Sequence, residues 1–255
     1  MKRHLLAATL LALASSSTAA AQDPFEIQVY LYSTVPRGYW NLESHINRVV
    51  RGEQNASGTV APTQGQNHLT LELTRGITDY FELAGYLVTS TRRDVAGELV
   101  AWRVRPRVRI PETWLPFKFS LSTEVAFPKD AYEESEITLE VRPIFEWKTG
   151  PFITVVNPTV GRALRGPGSA DGWDFEPGVH IGYPADDKLE LSLEYYGATG
   201  LVTDPLPFKQ QVHQFFPGFD YRFSPEKILN MGVGIGATDA GNTFVLKMRY
   251  GVMFR

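Results

Sequence analysis

Apolar and polar residues alternate through the C-terminal part of the chain, residues 242–254. One parity is apolar throughout (Phe244, Leu246, Met248, Tyr250, Val252, Phe254). The other parity carries Lys247 and Arg249. Because successive side chains of a strand point to opposite faces, the pattern predicts a strand with one apolar face and one cationic face.

The same alternation recurs in eleven further segments, each near the roughly 9–11 residues that a tilted strand needs to cross a bilayer. Together they predict twelve strands, at about 39–50, 66–75, 80–91, 97–110, 117–127, 136–147, 151–162, 173–183, 187–197, 211–223, 227–236 and 242–254. Short connections with Gly, Pro and Asp alternate with longer ones such as 51–65 and 198–210. This asymmetry is typical of outer-membrane barrels, in which the short side is periplasmic.

We therefore predict an all-β fold, a single antiparallel transmembrane β-barrel of about 12 strands over residues 39–255. Residues 25–33 also alternate, but a thirteenth strand would break the even number. Residues 22–38 are therefore predicted to lie at the rim or in the lumen, or to add a strand, and the sequence leaves these alternatives open. Prolines inside predicted strands remove ladder donors and predict bulges or local bends (Pro106, Pro143, Pro177, Pro217).

The first 21 residues predict export. Lys2 and Arg3 precede an apolar stretch at 5–14, and a small-residue cleavage site ends at Ala21. This is the pattern of a signal peptide, since the apolar run is too short for a spanning helix. Without Lys2 and Arg3 the chain has 23 basic and 28 acidic residues, a formal charge of −5. We expect the protein in the cell outer membrane, with no nucleic-acid partner.

A stripe of arginines carries the strongest chemical signal. Arg103, Arg105, Arg107 and Arg109 share one parity of the predicted fourth strand, while Trp102, Val104 and Val108 share the other. Four arginines facing hydrocarbon would each cost roughly 2–4 kcal/mol at mid-depth, so the stripe is predicted to line the lumen. We expect it to pair with carboxylates from Glu82 and Glu124 on the adjacent strands.

Other charged residues share the inward parity of their strands and extend the predicted lumen lining around the wall. They are Glu72, Glu140, Arg142, Glu176, Glu194, Asp220, Arg222, Lys247 and Arg249. One interpretation is a network of structural ion pairs that fills a narrow barrel. The other is a selectivity element for an anionic solute, as rings of Arg and Lys are in anion pores. The two overlap, because such a network can itself form the wall of a pore.

We predict no catalytic, cofactor-binding or metal site and no cofactor. The chain lacks cysteine, a H-E-x-x-H motif and a G-x-S-x-G elbow. An outer-membrane lipase or esterase stays open as an alternative, with His68 or His180 as its base and a pair such as His180 with Ser192 formed across strands. A purely structural role in the outer membrane is a further alternative.

The stretch Leu73-Thr74-Arg75-Gly76-Ile77-Thr78-Asp79-Tyr80-Phe81-Glu82-Leu83 resembles a hairpin frequent in Gram-negative outer-membrane barrels. It is similar to the group of transporters linked to the MetA pathway of phenol degradation, although Arg75 replaces the usual Tyr. The end of the chain is similar to the assembly signal of such barrels, but Arg255 follows the terminal aromatic Phe254. The resemblance implies a role in hydrocarbon transport. From the chain as a whole we predict a monomeric passive pore or transporter for a small solute, with a charged, ion-paired lumen. The expected partners are outer-membrane lipid, lipopolysaccharide and the barrel-assembly machinery.

Overall fold

A computed structural model describes residues 23–93 and 95–255, so the predicted signal peptide at 1–21 lies outside the described residues. The described residues form fourteen strands. They are β1 Trp40–Arg51, β2 Asn67–Gly76, β3 Phe81–Arg92, β4 Val95–Arg109, β5 Lys118–Pro128, β6 Ile137–Thr149, β7 Phe152–Arg165, β8 Asp174–Pro184, β9 Leu189–Ala198, β10 Gly200–Leu201, β11 Asp204–Pro205, β12 Val212–Ser224, β13 Lys227–Gly236 and β14 Phe244–Phe254.

Twelve of these strands close into one antiparallel barrel. Each strand from β1 to β8 pairs with the next, β9 pairs with β12, β12 pairs with β13, and β14 pairs with both β13 and β1. The two-residue strands β10 and β11 form a small hairpin in the connection between β9 and β12. The predicted fold and strand number are confirmed, and observed and predicted strand ends differ by at most three residues.

The connections define two ends of the barrel. Five of them form the turn end, at 77–80, 110–117, 150–151, 185–188 and 225–226. The other six form the loop end, where the connections at 52–66 and 199–211 are the longest. Among the described residues the one helix is a single 3-10 turn, Phe208–Gln210, and no helix is long and apolar enough to cross a membrane.

Three of the four strand prolines leave the pairing register of the barrel unchanged, so no bulge lies beside them. In the strand pairs β4–β5, β6–β7 and β12–β13 the register is the same before and after Pro106, Pro143 and Pro217, respectively. Only the residue pairs at and next to each proline are missing. Register shifts occur elsewhere, as between Val88 and Thr89. A closed wall therefore tolerates the loss of a ladder donor by omitting that hydrogen bond, since neighbouring pairings hold the strand in place.

The two faces of the wall differ in chemistry as the alternation predicts. In β4 the side chains of Trp102 and Val108 are each 45% exposed, whereas Arg105 on the opposite parity is 1% exposed. Large apolar side chains are exposed all around the outer face, and Trp102 stacks on Phe127 of β5 with ring centroids 3.8 Å apart. The outside of the barrel is thus largely apolar, and the arginine stripe of β4 faces inward.

Residues 23–36 run through the lumen and form no strand of the wall. Near the loop end, His68 Nδ1 lies 3.0 Å from the carbonyl oxygen of Pro24. At the turn end the chain continues into β1, and Gly38 N donates a hydrogen bond of 2.9 Å to Gly76 O there. We call residues 23–36 the lumen segment.

Candidate functional site: the charged lumen

The inward-facing residues predicted from parity surround the lumen segment. Glu72, Glu82, Arg103, Arg105, Arg107, Glu124, Glu194, Asp220 and Lys247 are buried. Arg109, Glu140, Arg142, Glu176 and Arg249 are half-buried, and Arg222 is exposed. The alternation of the strands is what places them there, because their outward neighbours are apolar.

The half of the arginine stripe nearer the loop end takes part in buried ion pairs. Arg103 Nη1 lies 3.1 Å from Glu124 Oε1, and it also pairs with Asp23 of the lumen segment at 2.5 Å. Arg105 Nη1 donates to Glu82 Oε1 at 3.0 Å. The second terminal nitrogen of Arg105 pairs with Glu72. These side chains are thus held in a network of alternating charge in which each guanidinium bonds more than one acceptor.

The other half of the stripe bonds backbone and side-chain groups of the lumen segment. Arg107 donates to the carbonyl oxygens of Leu31 at 3.1 Å and Ser33 at 2.8 Å. Arg109 donates to Thr34 Oγ1, also at 3.1 Å. Backbone carbonyls buried outside a sheet need donors, and here the wall supplies them as side chains.

A second set of ion pairs joins β14 to β1, β9 and β12. Arg249 Nη1 lies 2.6 Å from Glu43 Oε1, and Arg249 Nη2 lies 3.5 Å from Asp220 Oδ1. Lys247 pairs with Glu194. The charged residues of β14 thus have carboxylate partners on other strands, which is the arrangement expected for buried cations.

Wall side chains bond further backbone groups of the lumen segment. Asn157 bonds both backbone polar groups of Tyr30, since its Oδ1 accepts from Tyr30 N at 2.8 Å and its Nδ2 donates to Tyr30 O at 3.1 Å. Glu146 accepts from Tyr32 N at 3.0 Å, and Glu82 accepts from Val35 N at 2.6 Å. The segment is therefore bound like an extended peptide ligand, through side chains and not through a strand ladder.

An apolar patch on the inner wall matches the apolar side chains of the segment. Ile27 and Val29 pack in one buried cluster with Ile144, Val155 and Phe216 of the wall. These three wall side chains are 0% exposed. Without the segment they would face the open lumen, so their burial depends on it.

Two small cavities border the segment. One of about 20 Å³ is lined by Leu31 and by Arg222 at the turn end. The other, of about 40 Å³, is lined by Gln28 and Glu176. Because one water needs roughly 10–15 Å³ on this measure, each cavity holds one to a few waters and neither admits an organic solute.

The candidate histidine bases are bonded to groups other than serine. His180 Nε2 lies 3.1 Å from Glu190 Oε1, and its Nδ1 lies 3.5 Å from Glu194. Ser192 is paired with Gly182 in the register between β8 and β9. The ring nitrogens of His68 contact Pro24 O and a Gln66 side-chain oxygen. The geometry therefore does not favour a hydrolase built on either histidine.

Several residues of the site were missed by the sequence interpretation. They are Asp23, Glu26, Tyr30 and Tyr32 of the lumen segment and Glu43, His45, Tyr86 and Asn157 of the wall. The alternation of 25–33 could have indicated the residues of the lumen segment other than Asp23, because it puts Glu26, Gln28, Tyr30 and Tyr32 on one parity.

Solved structures that share the fold of this barrel include outer-membrane channels and porins. An outer membrane channel from Pseudomonas putida F1 is 13% identical, with a TM-score of 0.56, and the match covers 90% of this chain and 100% of that one. The NanC porin is 9% identical at a TM-score of 0.54, covering 85% and 99% of the two chains. The KdgM porin is 9% identical at 0.51, covering 84% and 98%. No protein-family model and no curated protein matches the sequence.

At these identities the likeness concerns the fold. The neighbours share the closed antiparallel barrel over nearly their whole length, which supports the outer-membrane barrel group in general. The narrower resemblance to MetA-pathway transporters, carried by Leu73–Leu83, stays a prediction.

Proposed function

We propose that the protein is a passive outer-membrane channel for a small solute, closed in the observed conformation by its lumen segment. The observation that carries this proposal is a segment outside the wall that occupies the lumen of a porin-like barrel through side-chain contacts. Contacts of this kind can break without any change in the strand ladders.

The outer face supports membrane insertion. Leu69, Leu71 and Leu73 of β2 are 40%, 39% and 42% exposed, and the same apolar character continues around the barrel. An exposed apolar surface of this extent is a liability in water but is the expected lipid contact of a membrane barrel. We infer a monomer, since this face is then covered by lipid.

Opening requires the lumen segment to leave its place, because the adjacent cavities hold only a few waters. Its departure would uncover Arg107 and Arg109, which now bond residues 31–34. Charged wall residues would then line the path of the solute, and the stripe would act both as a latch in the closed form and as pore lining in the open form. A polar or charged solute suits such a wall.

A disulfide between the segment and the wall tests the gate. A Cβ built at Gly178 lies 3.4 Å from Val29 Cγ2, so sulfur atoms introduced at both positions fall near bonding geometry. We expect a V29C/G178C variant in planar bilayers to conduct less after oxidation, toward the level of bare membrane, and to recover on reduction. The natural chain has no cysteine, so this is the one disulfide that can form.

The single variants V29C and G178C are the controls, because they carry the same substitutions without the cross-link. If a gel shows that the cross-link is complete but the oxidised variant conducts as well as it does after reduction of the disulfide, the segment is not the gate. A barrel that conducts under no condition would favour the structural alternative.

The location and orientation give a second test. We expect fractionation to recover the protein with outer membranes, and an epitope inserted beside Ser57, in the loop-end connection 52–66, to be labelled on intact cells. Insertion at Asp186, in a connection of the turn end, is the matched control and should be labelled only after permeabilisation. Recovery in the soluble periplasm would contradict the location, and the reverse labelling pattern would contradict the orientation.

A further inference from the structure

Three potential metal ligands meet in the lumen where the segment contacts β1 and β2. Glu26 lies on the lumen segment, His45 on β1 and Glu72 on β2. One donor atom of each lies within 4.8 Å of the others. Their exposures are 9%, 1% and 2%, so this group is shielded from solvent.

Two atoms of this group form no hydrogen bond. Among the described residues, His45 Nε2 and Glu72 Oε2 are buried and have no hydrogen bond. They lie 3.7 Å apart, and Glu43 Oε2 lies 3.8 Å from the same His45 nitrogen. Donors that share a tetrahedral ion at about 2.1 Å are separated by roughly 3.4 Å, so small shifts would bring these atoms into coordination.

The remaining oxygens of these carboxylates are already held. Glu72 Oε1 accepts from Thr74 Oγ1 at 2.6 Å and pairs with Arg105. Glu43 Oε1 accepts from Arg249 Nη1, also at 2.6 Å. Because one oxygen of each carboxylate is anchored, the second oxygen of the same carboxylate is directed at His45. Outer-shell groups orient the ligands of metal sites in this way.

The charge around His45 also favours a cation. The ion pairs that continue from the cluster join four arginines to seven carboxyl groups (the arginines are Arg103, Arg105, Arg107 and Arg249). Carboxyl groups therefore outnumber arginines in this mostly buried region, where a bound cation would offset the cost of burying an unpaired carboxylate.

We propose that Glu26, His45 and Glu72, with Glu43 as a fourth donor, bind one divalent transition-metal ion, and that Zn²⁺ suits the site. An imidazole with carboxylates is a ligand set that Zn²⁺ accepts, whereas Ca²⁺ prefers six to eight oxygens. Because Glu26 belongs to the lumen segment and the other ligands to the wall, the ion ties the segment to the barrel.

Zinc titration of the refolded full chain, freed of metal by chelation, tests the site. We expect one Zn²⁺ per chain by calorimetry, with Ca²⁺ bound far more weakly. E26Q and H45Q should each weaken Zn²⁺ binding by at least about 100-fold, since even the loss of an outer-shell partner costs roughly 10–100-fold. E26Q changes no wall residue, so it decides the matter if H45Q does not fold.

The matched control is H68Q. His68 has the same inward parity as His45 and is also 1% exposed, but its ring nitrogens contact Pro24 O and Gln66 Oε1 and no carboxylate. H68Q should bind Zn²⁺ like the wild type. Absence of stoichiometric Zn²⁺ binding by the wild type, or equal binding by the wild type and E26Q, would overturn the proposal. The readout is binding, so the result is independent of whether the barrel conducts.

Discussion

Deletion of residues 23–36 should give a barrel with a large and steady conductance in planar bilayers. The twelve wall strands pair with one another and do not need the segment for any ladder hydrogen bond. Its removal takes Ile27, Val29, Tyr30 and other buried side chains out of the lumen and leaves a water-filled path lined by charge. Conductance of the deletion variant against the wild type, in the same lipid and salt, measures the effect.

Adding the deleted segment back as a peptide is a control for the deletion. A synthetic peptide of residues 23–36 should lower the conductance of the deletion variant, because Asn157 and Arg107 recognise its backbone and the inner apolar patch recognises Ile27 and Val29. A scrambled peptide of the same composition should have no effect. If the folded deletion variant conducts no more than the wild type, the lumen segment is not what closes the barrel.

The sequence predicted the wall because the wall obeys a local rule. Alternation has period two, and one register error would turn Arg105 outward and Trp102 inward, so the hydrophobic pattern specifies the inside and outside of each strand. Turn residues such as those at 185–188 mark the strand ends for the same local reason. These constraints lie within a few residues of each other and can be read directly.

The contents of the lumen could not be read in the same way. Glu26, His45 and Glu72 are far apart in sequence and meet only because the segment threads the closed barrel. The hydrogen bonds between Tyr30 and Asn157 span 127 residues. Alternation in 25–33 is equally consistent with a strand and with an extended peptide, since both place successive side chains on opposite sides.

The arginine stripe shows how far parity reasoning extends. Parity placed Arg107 and Arg109 on the inner face, but their partners include carbonyl oxygens and side chains of residues 31–34. A carbonyl has no signature in the sequence, because every residue carries one. The stripe is therefore a binding surface for a peptide as well as a member of an ion-pair network.

Arg105→Glu should be the most destabilising single charge change in the wall. Arg105 is 1% exposed and pairs with Glu72 and Glu82, which are 2% and 0% exposed. The change would place three carboxylates together where one guanidinium now separates two. Breaking a buried pair costs about 3–5 kcal/mol, and the added like charge increases this. Urea unfolding in lipid vesicles should show the loss in the free energy of unfolding.

The companion change Trp102→Arg tests the opposite face of the same strand. Trp102 is 45% exposed on the outer face, where an arginine at mid-depth costs roughly 2–4 kcal/mol in a membrane barrel. It should therefore reduce insertion into vesicles while leaving the inner ion pairs intact. Arg93→Glu, at an exposed position of the loop end, is the control for both and should change neither property. If Arg105→Glu unfolds like the wild type and Trp102→Arg inserts normally, the assignment of inner and outer faces in β4 is wrong.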